Sequence, residues 1–354
     1  MNAQFTQHNL IFKQASGTSR GVLTTKETYL LEISKNGQKG IGECAIFRGL
    51  SYDDVPDYEE KLTWLCENIH LDFEVLKKEL LHYPSIIFGL EQALLNLEHG
   101  EDLYFPSDFT DGKDSIKING LIWMGNADFM QSQIEEKLAK GFDCIKLKIG
   151  VDWKSEKEII KKLREKFPKE QLELRVDANG AFSYEEARMV LQELADLGIH
   201  SIEQPIKKSQ VKSKKSQEID EINSTDCRAP WIEMAKLCAE TPTPIALDEE
   251  LIGVIDFEEK KKLLETIKPQ YIILKPALVG GFSGSDEWIV LAENLGIDWW
   301  ITSALESNIG LNAICQYTYT KKNPLPQGLG TGALFTNNFE THLQLEGDQM
   351  WHKK

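Results

Sequence analysis

Six polar side chains stand where a regular apolar pattern would place only Val, Ile or Leu: Lys148, Asp177, Glu203, Asp248, Lys275 and Ser303. Each closes a short strand-like run, and successive spacings are 29, 26, 45, 27 and 28 residues. The long interval holds a polar stretch, 207–228, with five lysines; removing about 18 of its residues restores the period. Side chains on a strand alternate faces, so parity can place each one. Ile145, Leu147 and Ile149 share one face and leave Lys146 and Lys148 on the other. Asp177, Glu203, Asp248 and Lys275 oppose their apolar neighbours in the same way.

Three carboxylates on consecutive strands make an all-oxygen, triply anionic cluster. Hard oxygen donors without Cys or His point to Mg²⁺ or Mn²⁺ rather than zinc. Lys148 and Lys275 approach this cluster from strands on opposite sides. Lysine is a poor base at its free pKa of about 10.4. A nearby dication and a second ammonium, Lys146, lower it toward neutrality. A base facing a cation that binds a carboxylate is equipment for removing the proton α to that carboxylate. Mutual neutralisation without function is the competing reading, but buried ion pairs add little net stability and clustered charges mark functional sites. Glu249 has the opposite parity to Asp248, and Glu250 lies past the strand, so neither is expected to be a ligand.

These residues need elements that bring them together. From residue 115 onward, apolar runs at 115–119, 144–149, 172–177, 200–203, 244–248, 271–275 and 299–303 alternate with helical patterns. The helices are expected over 126–140, 154–166, 184–197, 231–239, 257–267 and 284–295. Such alternation implies βαβ units and a parallel sheet. Seven units, with a weaker eighth near Gly328-Leu329-Gly330, fit an α/β fold of the TIM type, a (β/α)7β barrel with its chemistry at the C-terminal mouth. No G-x-G-x-x-G follows the first strand, which argues against a doubly wound open sheet. Ahead of the barrel, 1–43 reads as extended runs with a hairpin at Asn36-Gly37, followed by helices over 57–82 and 84–99. The expected domains are an α+β capping unit, 1–112, and the barrel, 113–332, with the C-terminal tail 333–354 returning to the cap.

The chain has 354 residues and a formal charge of −16. That acidity argues against nucleic-acid partners and against anionic membrane surfaces. No apolar run approaches the roughly 18 residues of a membrane span. The start lacks a basic segment followed by an apolar one, and the six cysteines form no C-x-x-C pair. Free thiols in a cytoplasmic protein acting on a small molecule are the expectation; oligomeric state is not encoded. The 207–228 stretch has no aromatic interleaving and reads as a solvated insertion.

The stretches Ile145-Lys146-Leu147-Lys148, Arg175-Val176-Asp177-Ala178-Asn179-Gly180, Ile202-Glu203-Gln204-Pro205, Leu247-Asp248-Glu249 and Ile273-Leu274-Lys275-Pro276 together resemble the muconate-lactonizing branch of the enolase superfamily. The likeness covers nearly the whole chain. Within that branch, Gly42-Glu43-Cys44, Phe47-Arg48-Gly49-Leu50-Ser51, Phe88-Gly89-Leu90-Glu91, Gly280-Gly281-Phe282 and 302–310 resemble the o-succinylbenzoate synthase family.

The resemblance implies Mg²⁺, with Mn²⁺ able to substitute, on Asp177, Glu203 and Asp248. It implies a lyase of menaquinone biosynthesis that dehydrates 2-succinyl-6-hydroxy-2,4-cyclohexadiene-1-carboxylate (SHCHC) to 2-succinylbenzoate. Lys148 would take the α-proton and then protonate the departing hydroxyl on the same face, while Lys275 stays protonated. Lys146, Asn179, Gly281, Ser303 and Arg48 are expected to support the site or contact substrate. An N-succinylamino acid racemase, or another lysine-based racemase or epimerase, shares the two lysines and is the alternative. A dipeptide epimerase would carry Asp-x-Asp on the eighth strand, where Gly328-Leu329-Gly330 stands. A muconate cycloisomerase fits neither the Arg48 loop nor the serine-containing seventh strand. A non-catalytic carboxylate-binding scaffold would have lost a lysine or a ligand, and none is missing.

Overall fold

The Asn36-Gly37 pair takes positive φ at both positions, 54° and 82°, the twist that joins adjacent antiparallel strands in two residues. In the computed structural model this turn links β2 (Gly21–Lys35) to β3 (Gln38–Cys44), and β1 (Asn2–Thr18) completes a meander in the order β1-β2-β3. The structure describes all residues except 19–20, 124, 126 and 209–230, with the side chains of 15–18, 21 and 127 also left out. Tyr29, Leu31 and Ile33 alternate onto the buried face of β2. They meet α1 (Tyr58–Asn68), α2 (Phe73–Glu79) and α3 (Pro84–His99) in one apolar cluster. The expected helix over 57–82 is therefore two, because the chain turns extended at Asp72 before α2 begins. Gly40 and Gly42 let β3 lie directly on α3: a Cβ at Gly42 would stand 2.0 Å from the Gly89 carbonyl oxygen.

The seven parallel strands are β5 (Gly120–Ile122), β6 (Cys144–Lys148), β7 (Glu173–Asp177), β8 (Ser201–Glu203), β9 (Ile245–Leu247), β10 (Tyr271–Leu274) and β11 (Asp298–Ile301). Each hydrogen-bonds its sequence neighbours in one curled sheet. Between and after them run α4 (Ala127–Ala139), α5 (Trp153–Lys166), α6 (Tyr184–Asp196), α7 (Ile232–Glu240), α8 (Phe257–Ile267), α9 (Pro276–Val279), α10 (Gly281–Asn294) and α11 (Asn308–Lys321). Local signals start several of these helices. Asp152 caps α5, Ser183 and Glu186 form a reciprocal capping box on α6, and Asp256 caps α8, each contributing about 1 kcal/mol.

Parity holds along the strands. Ile145, Leu147, Leu174, Val176, Ile202, Ile245, Leu247, Ile272 and Leu274 pack outward into the main core with the helices. Ala246, Ile273 and Trp300 form a separate small cluster inside the curl, with the Arg175 guanidinium 4.2 Å from the Trp300 ring centre.

The first parallel strand departs from expectation. Residues Ile116–Lys117 form β4, which pairs with the C-terminal hairpin of β12 (Leu343–Glu346) and β13 (Gln349–His352); the parallel strand starts later, at Gly120. The two edges of the curl meet at Gln327-Gly328. Gln327 N–H donates to the Lys117 carbonyl and Gly328 N–H to that of Ile301, at 2.9 and 2.8 Å. From the tail, Phe335 bridges Phe12 on β1, whereas 343–352 joins β4 instead. Of the expected insertion only Lys207 and Lys208 fall among the described residues. No described helix is long and apolar enough to cross a membrane.

Candidate active site

Strands β6, β7 and β8 finish in register, with Lys148 opposite Asp177 and Asp177 opposite Glu203. Matched lengths therefore stack the polar strand ends in one layer. Lys148 Nζ donates to Asp177 Oδ2 at 3.1 Å and to Asn179 Oδ1 at 2.6 Å. Lys146 Nζ donates to Glu203 Oε2 at 2.7 Å and lies 3.4 Å from Asp177 Oδ2. Lys275 Nζ donates to Asp248 Oδ2 and stands 3.9 Å from Glu203 Oε1. Lys148 and Lys275 thus hold opposite flanks of the carboxylate row, with the Glu203 strand between them.

Burial opposes charge on all these groups, and their partners decide each outcome. Burial, reinforced by the Asp177 charge, pushes Glu203 up to about 8. Burial also works to raise Asp177, but Lys148, Lys146 and Lys275 outweigh it and hold that carboxyl well below its usual range. For Lys275, burial favours the neutral amine; Asp248 and Glu203 overcome it and keep the ammonium. Lys146 follows the same pattern against Glu203 and Asp177.

Glu203 Oε1 is buried and accepts no hydrogen bond. Such an oxygen is costly unless something positive meets it. With Asp177 and Asp248 on either side and, among the described residues, no His or Cys lining the cavity, the donor set fits a hard divalent cation, Mg²⁺ or Mn²⁺.

Three non-glycine residues just past the strand ends take left-handed backbone: Asn179 at φ 42°, Gln204 at 40° and Leu305 at 64°. Each costs on the order of 1–3 kcal/mol, and such strain collects at functional sites. At Asn179 the turn lets one amide reach both ways, with Oδ1 toward Lys148 and Nδ2 toward Glu249 Oε1 at 3.1 Å. Gln204, fully buried, accepts from the backbone N–H groups of Asp248 and Glu250, both at 3.2 Å, and so fixes how Asp248 is presented. Sequence reasoning assigned Gln204 no role. A wholly polar amide directly after Glu203, inside an apolar strand environment, was the available signal.

The layer forms the floor of a cavity. Lys146, Lys148, Asp177, Asn179 and Lys275 line it from below, while Phe47 and Leu50 of the capping unit join Leu121 and Trp123 as apolar walls. Thr302, Ser303 and Thr331 add hydroxyls, with the Ser303 and Thr331 oxygens 2.5 Å apart. An apolar pocket with a few convergent polar groups suits a small organic anion.

Two expectations are corrected. Arg48 does not reach the cavity: its guanidinium binds Glu27 and Asp54 within the capping unit, and its neighbours Phe47 and Leu50 face inward instead. Gly281 does not line the cavity either. It starts α10 at φ 76°, where a Cβ would stand 2.2 Å from Glu91 Oε2, so it serves close contact between α3 and α10. Glu249 lines the cavity despite its parity, because β9 ends at Leu247 and Glu249–Leu251 winds into a 3₁₀ turn.

The model of the enolase C-terminal domain-like family matches residues 130–221. An o-succinylbenzoate synthase of Desulfotalea psychrophila is 42% identical, covering 98% of each chain. An N-succinylamino acid racemase of Thermus thermophilus is 33% identical over 83% of this chain and 75% of its own. The crystal structure of MenC from Desulfotalea psychrophila superposes with a TM-score of 0.84 at 40% identity, over 99% of both chains.

Proposed function

Because the chain belongs to the o-succinylbenzoate synthase family of the enolase superfamily, we propose that it dehydrates SHCHC to 2-succinylbenzoate by a one-base syn elimination. The observation that carries this reading is the placement of Lys148 and Lys275 on opposite flanks of one carboxylate row. Lys148, as the neutral amine, takes the proton from the ring carbon bearing the carboxylate. The same Nζ then delivers that proton to the hydroxyl leaving from the neighbouring carbon, so the products are water and an aromatic ring. General acid–base action of this kind contributes typically 10²–10⁴-fold in rate. Lys275, held protonated by Asp248 and Glu203, places a fixed positive charge on the other face of the ring.

Asp177, Glu203 and Asp248 are the residues that would hold Mg²⁺, with Mn²⁺ as a substitute. The bound cation supplies Lewis acidity for charge developing on the substrate carboxylate. Lys146 supports two of the ligands, and Asn179 orients Lys148. Ser303 contributes a hydroxyl to the wall, suited to the succinyl arm. The Gln327-Gly328 bridges support reading the curled sheet as a (β/α)7β barrel over 113–332, with 1–112 as its cap. The family relation supports an enzyme working in menaquinone biosynthesis, in the cytoplasm.

The test is direct assay with SHCHC, following the aromatic product by absorbance, beside a set of N-succinylamino acids followed by loss of optical activity. Turnover of SHCHC at an enzymatic kcat/KM supports the reading, and its absence with efficient racemisation overturns it. N-succinylamino acid racemisation remains the second reading, since two facing lysines also suit two-base chemistry and a racemase is 33% identical.

A further inference from the structure

Away from the cavity, three side chains from remote parts of the sequence converge on one point. Asp102 follows α3 in the segment that leads toward the barrel, and His342 and His352 belong to the C-terminal hairpin. Leu343 pairs with His352 and the Lys353 N–H donates to the His342 carbonyl, so the two histidines are diagonal neighbours, ring centres 5.4 Å apart. His342 Nδ1 and His352 Nε2 address the same atom, Asp102 Oδ2, at 2.6 and 3.0 Å. His352 is fully buried beside Phe109, whereas the His342 side chain is 45% exposed. The other carboxylate oxygen, Asp102 Oδ1, is buried without a hydrogen-bond partner. Among the described residues no lysine or arginine comes within ion-pair distance of Asp102.

We propose that Asp102, His342 and His352 form a second cation site, selective for zinc-class dications over Mg²⁺. One ligand atom from each lies within 4.8 Å of the other two, close enough for a single ion to join them. Two imidazole nitrogens with one carboxylate oxygen are a borderline donor set, matched to Zn²⁺, Co²⁺ or Ni²⁺; Mg²⁺ takes oxygen donors instead. Both nitrogens already aim at one oxygen, so without metal each must carry a proton to hold it. A dication takes the same two lone pairs in place of those protons. The exposed side of His342 provides the entry path and room for water as the fourth ligand. The Asp102 carbonyl also accepts from Asn312 and Gln316 of α11, at 2.9 and 2.8 Å. The ion would therefore clip the C-terminal hairpin to a residue already tied to the last barrel helix. Because the unfolded chain does not bring these three residues together, binding raises Tm.

The experiment titrates metal-stripped full-length protein with Zn²⁺ in saturating Mg²⁺, by calorimetry and thermal unfolding, and records visible absorption with Co²⁺. One equivalent of Zn²⁺ should bind, with a rise in Tm and the ligand-field bands of four-coordinate Co²⁺. His342→Asn, at a half-buried position, and Asp102→Asn should each weaken Zn²⁺ by about a hundredfold or more and abolish the bands. The double variant Asp177→Asn/Glu203→Gln should keep all three signals, which separates this site from the carboxylate row. No Zn²⁺ binding at about 100 µM, roughly the weak end for specific sites, would overturn the proposal. So would equal binding by wild type and His342→Asn, or signals lost only in the double variant.

Discussion

Glu43, near the end of β3, accepts hydrogen bonds from both the backbone N–H and the hydroxyl of Ser307, at 3.0 and 2.6 Å. The same buried carboxylate accepts from the Gly310 N–H at 3.0 Å and from Thr28 at 2.8 Å. A strand of the N-terminal meander thus supplies the anion at the N-terminus of α11. The chain just ahead of that helix, Ser303 to Leu305, lines the cavity. Glu43→Ala should cost about 2–3 kcal/mol of stability, the range for hydrogen bonds to a charged group. It should also raise KM more than it lowers kcat, since the wall is displaced and the lysines are not. Urea unfolding and steady-state kinetics check both, and an unchanged unfolding midpoint would mean that the clamp contributes nothing.

Arg48 is held by Glu27 and Asp54, with its side chain 41% exposed. Arg48→Ala should therefore lose no more than about 1 kcal/mol. Its kcat/KM should stay within about threefold of wild type, because surface changes away from the site rarely exceed that. Leu50→Ala, by contrast, opens an apolar wall and should raise KM. A hundredfold loss in Arg48→Ala would put the guanidinium on the substrate after all.

How far the sequence reaches is clear from these residues. Lys146, Lys148, Asp177, Glu203, Asp248 and Lys275 were legible because each interrupts an apolar strand on a fixed parity, and strand geometry propagates parity faithfully. Glu249 shows where parity stops: it means nothing once the chain leaves the strand and enters a 3₁₀ turn. Arg48 was misplaced because a turn containing Gly49 at φ 77° sets side-chain direction by local backbone, which spacing does not encode. The closing contact at Gln327-Gly328 involves two residues, too few to show any period. Gln204 stands out as a polar amide directly after Glu203, but the backbone groups it holds belong to a neighbouring loop, and spacing does not encode that pairing.

Removing metal should abolish activity, and Mg²⁺ or Mn²⁺ should restore it. Asp177→Asn, Glu203→Gln and Asp248→Asn should each weaken Mg²⁺ by at least about a hundredfold, as even partners one shell further out reach 10–100-fold. Calorimetric titration measures this, with circular dichroism to confirm the fold. Full turnover in a metal-stripped sample would sink the ligand assignment.

Glu91 joins α3 to α10 by accepting from the N–H groups of Phe282 and Ser283 at the start of α10. Burial raises its carboxyl to about 7, above the ordinary 4.5, although the backbone donors pull the other way. Folded protein therefore holds a proton that unfolded protein has already lost between pH 4.5 and 7. This contribution to stability is complete below about pH 4.5 and disappears as pH rises through 7, a change of about 3 kcal/mol. Glu91→Gln should remove it, so the stability difference between variant and wild type should shift in the variant's favour from pH 5 to pH 8. Parallel pH profiles for the two proteins would show that Glu91 does not titrate in this range.

Exchange chemistry separates the two lysines. Lys148 contacts Asp177 and Asn179, whereas Lys275 is fixed by Asp248, so their roles need not be interchangeable. If Lys148 is the base, Lys148→Ala should eliminate dehydration and also α-proton exchange in D₂O with a substrate analogue lacking the leaving hydroxyl. Lys148→Arg should be equally inactive, because a guanidinium does not deprotonate to serve as a base. Lys275→Arg should retain more activity than Lys275→Ala, since its charge survives while its geometry suffers. A two-base racemase would instead lose activity alike in both lysine-to-arginine variants. Substantial activity in Lys148→Arg, or normal turnover in Lys275→Ala, would rule out the one-base elimination.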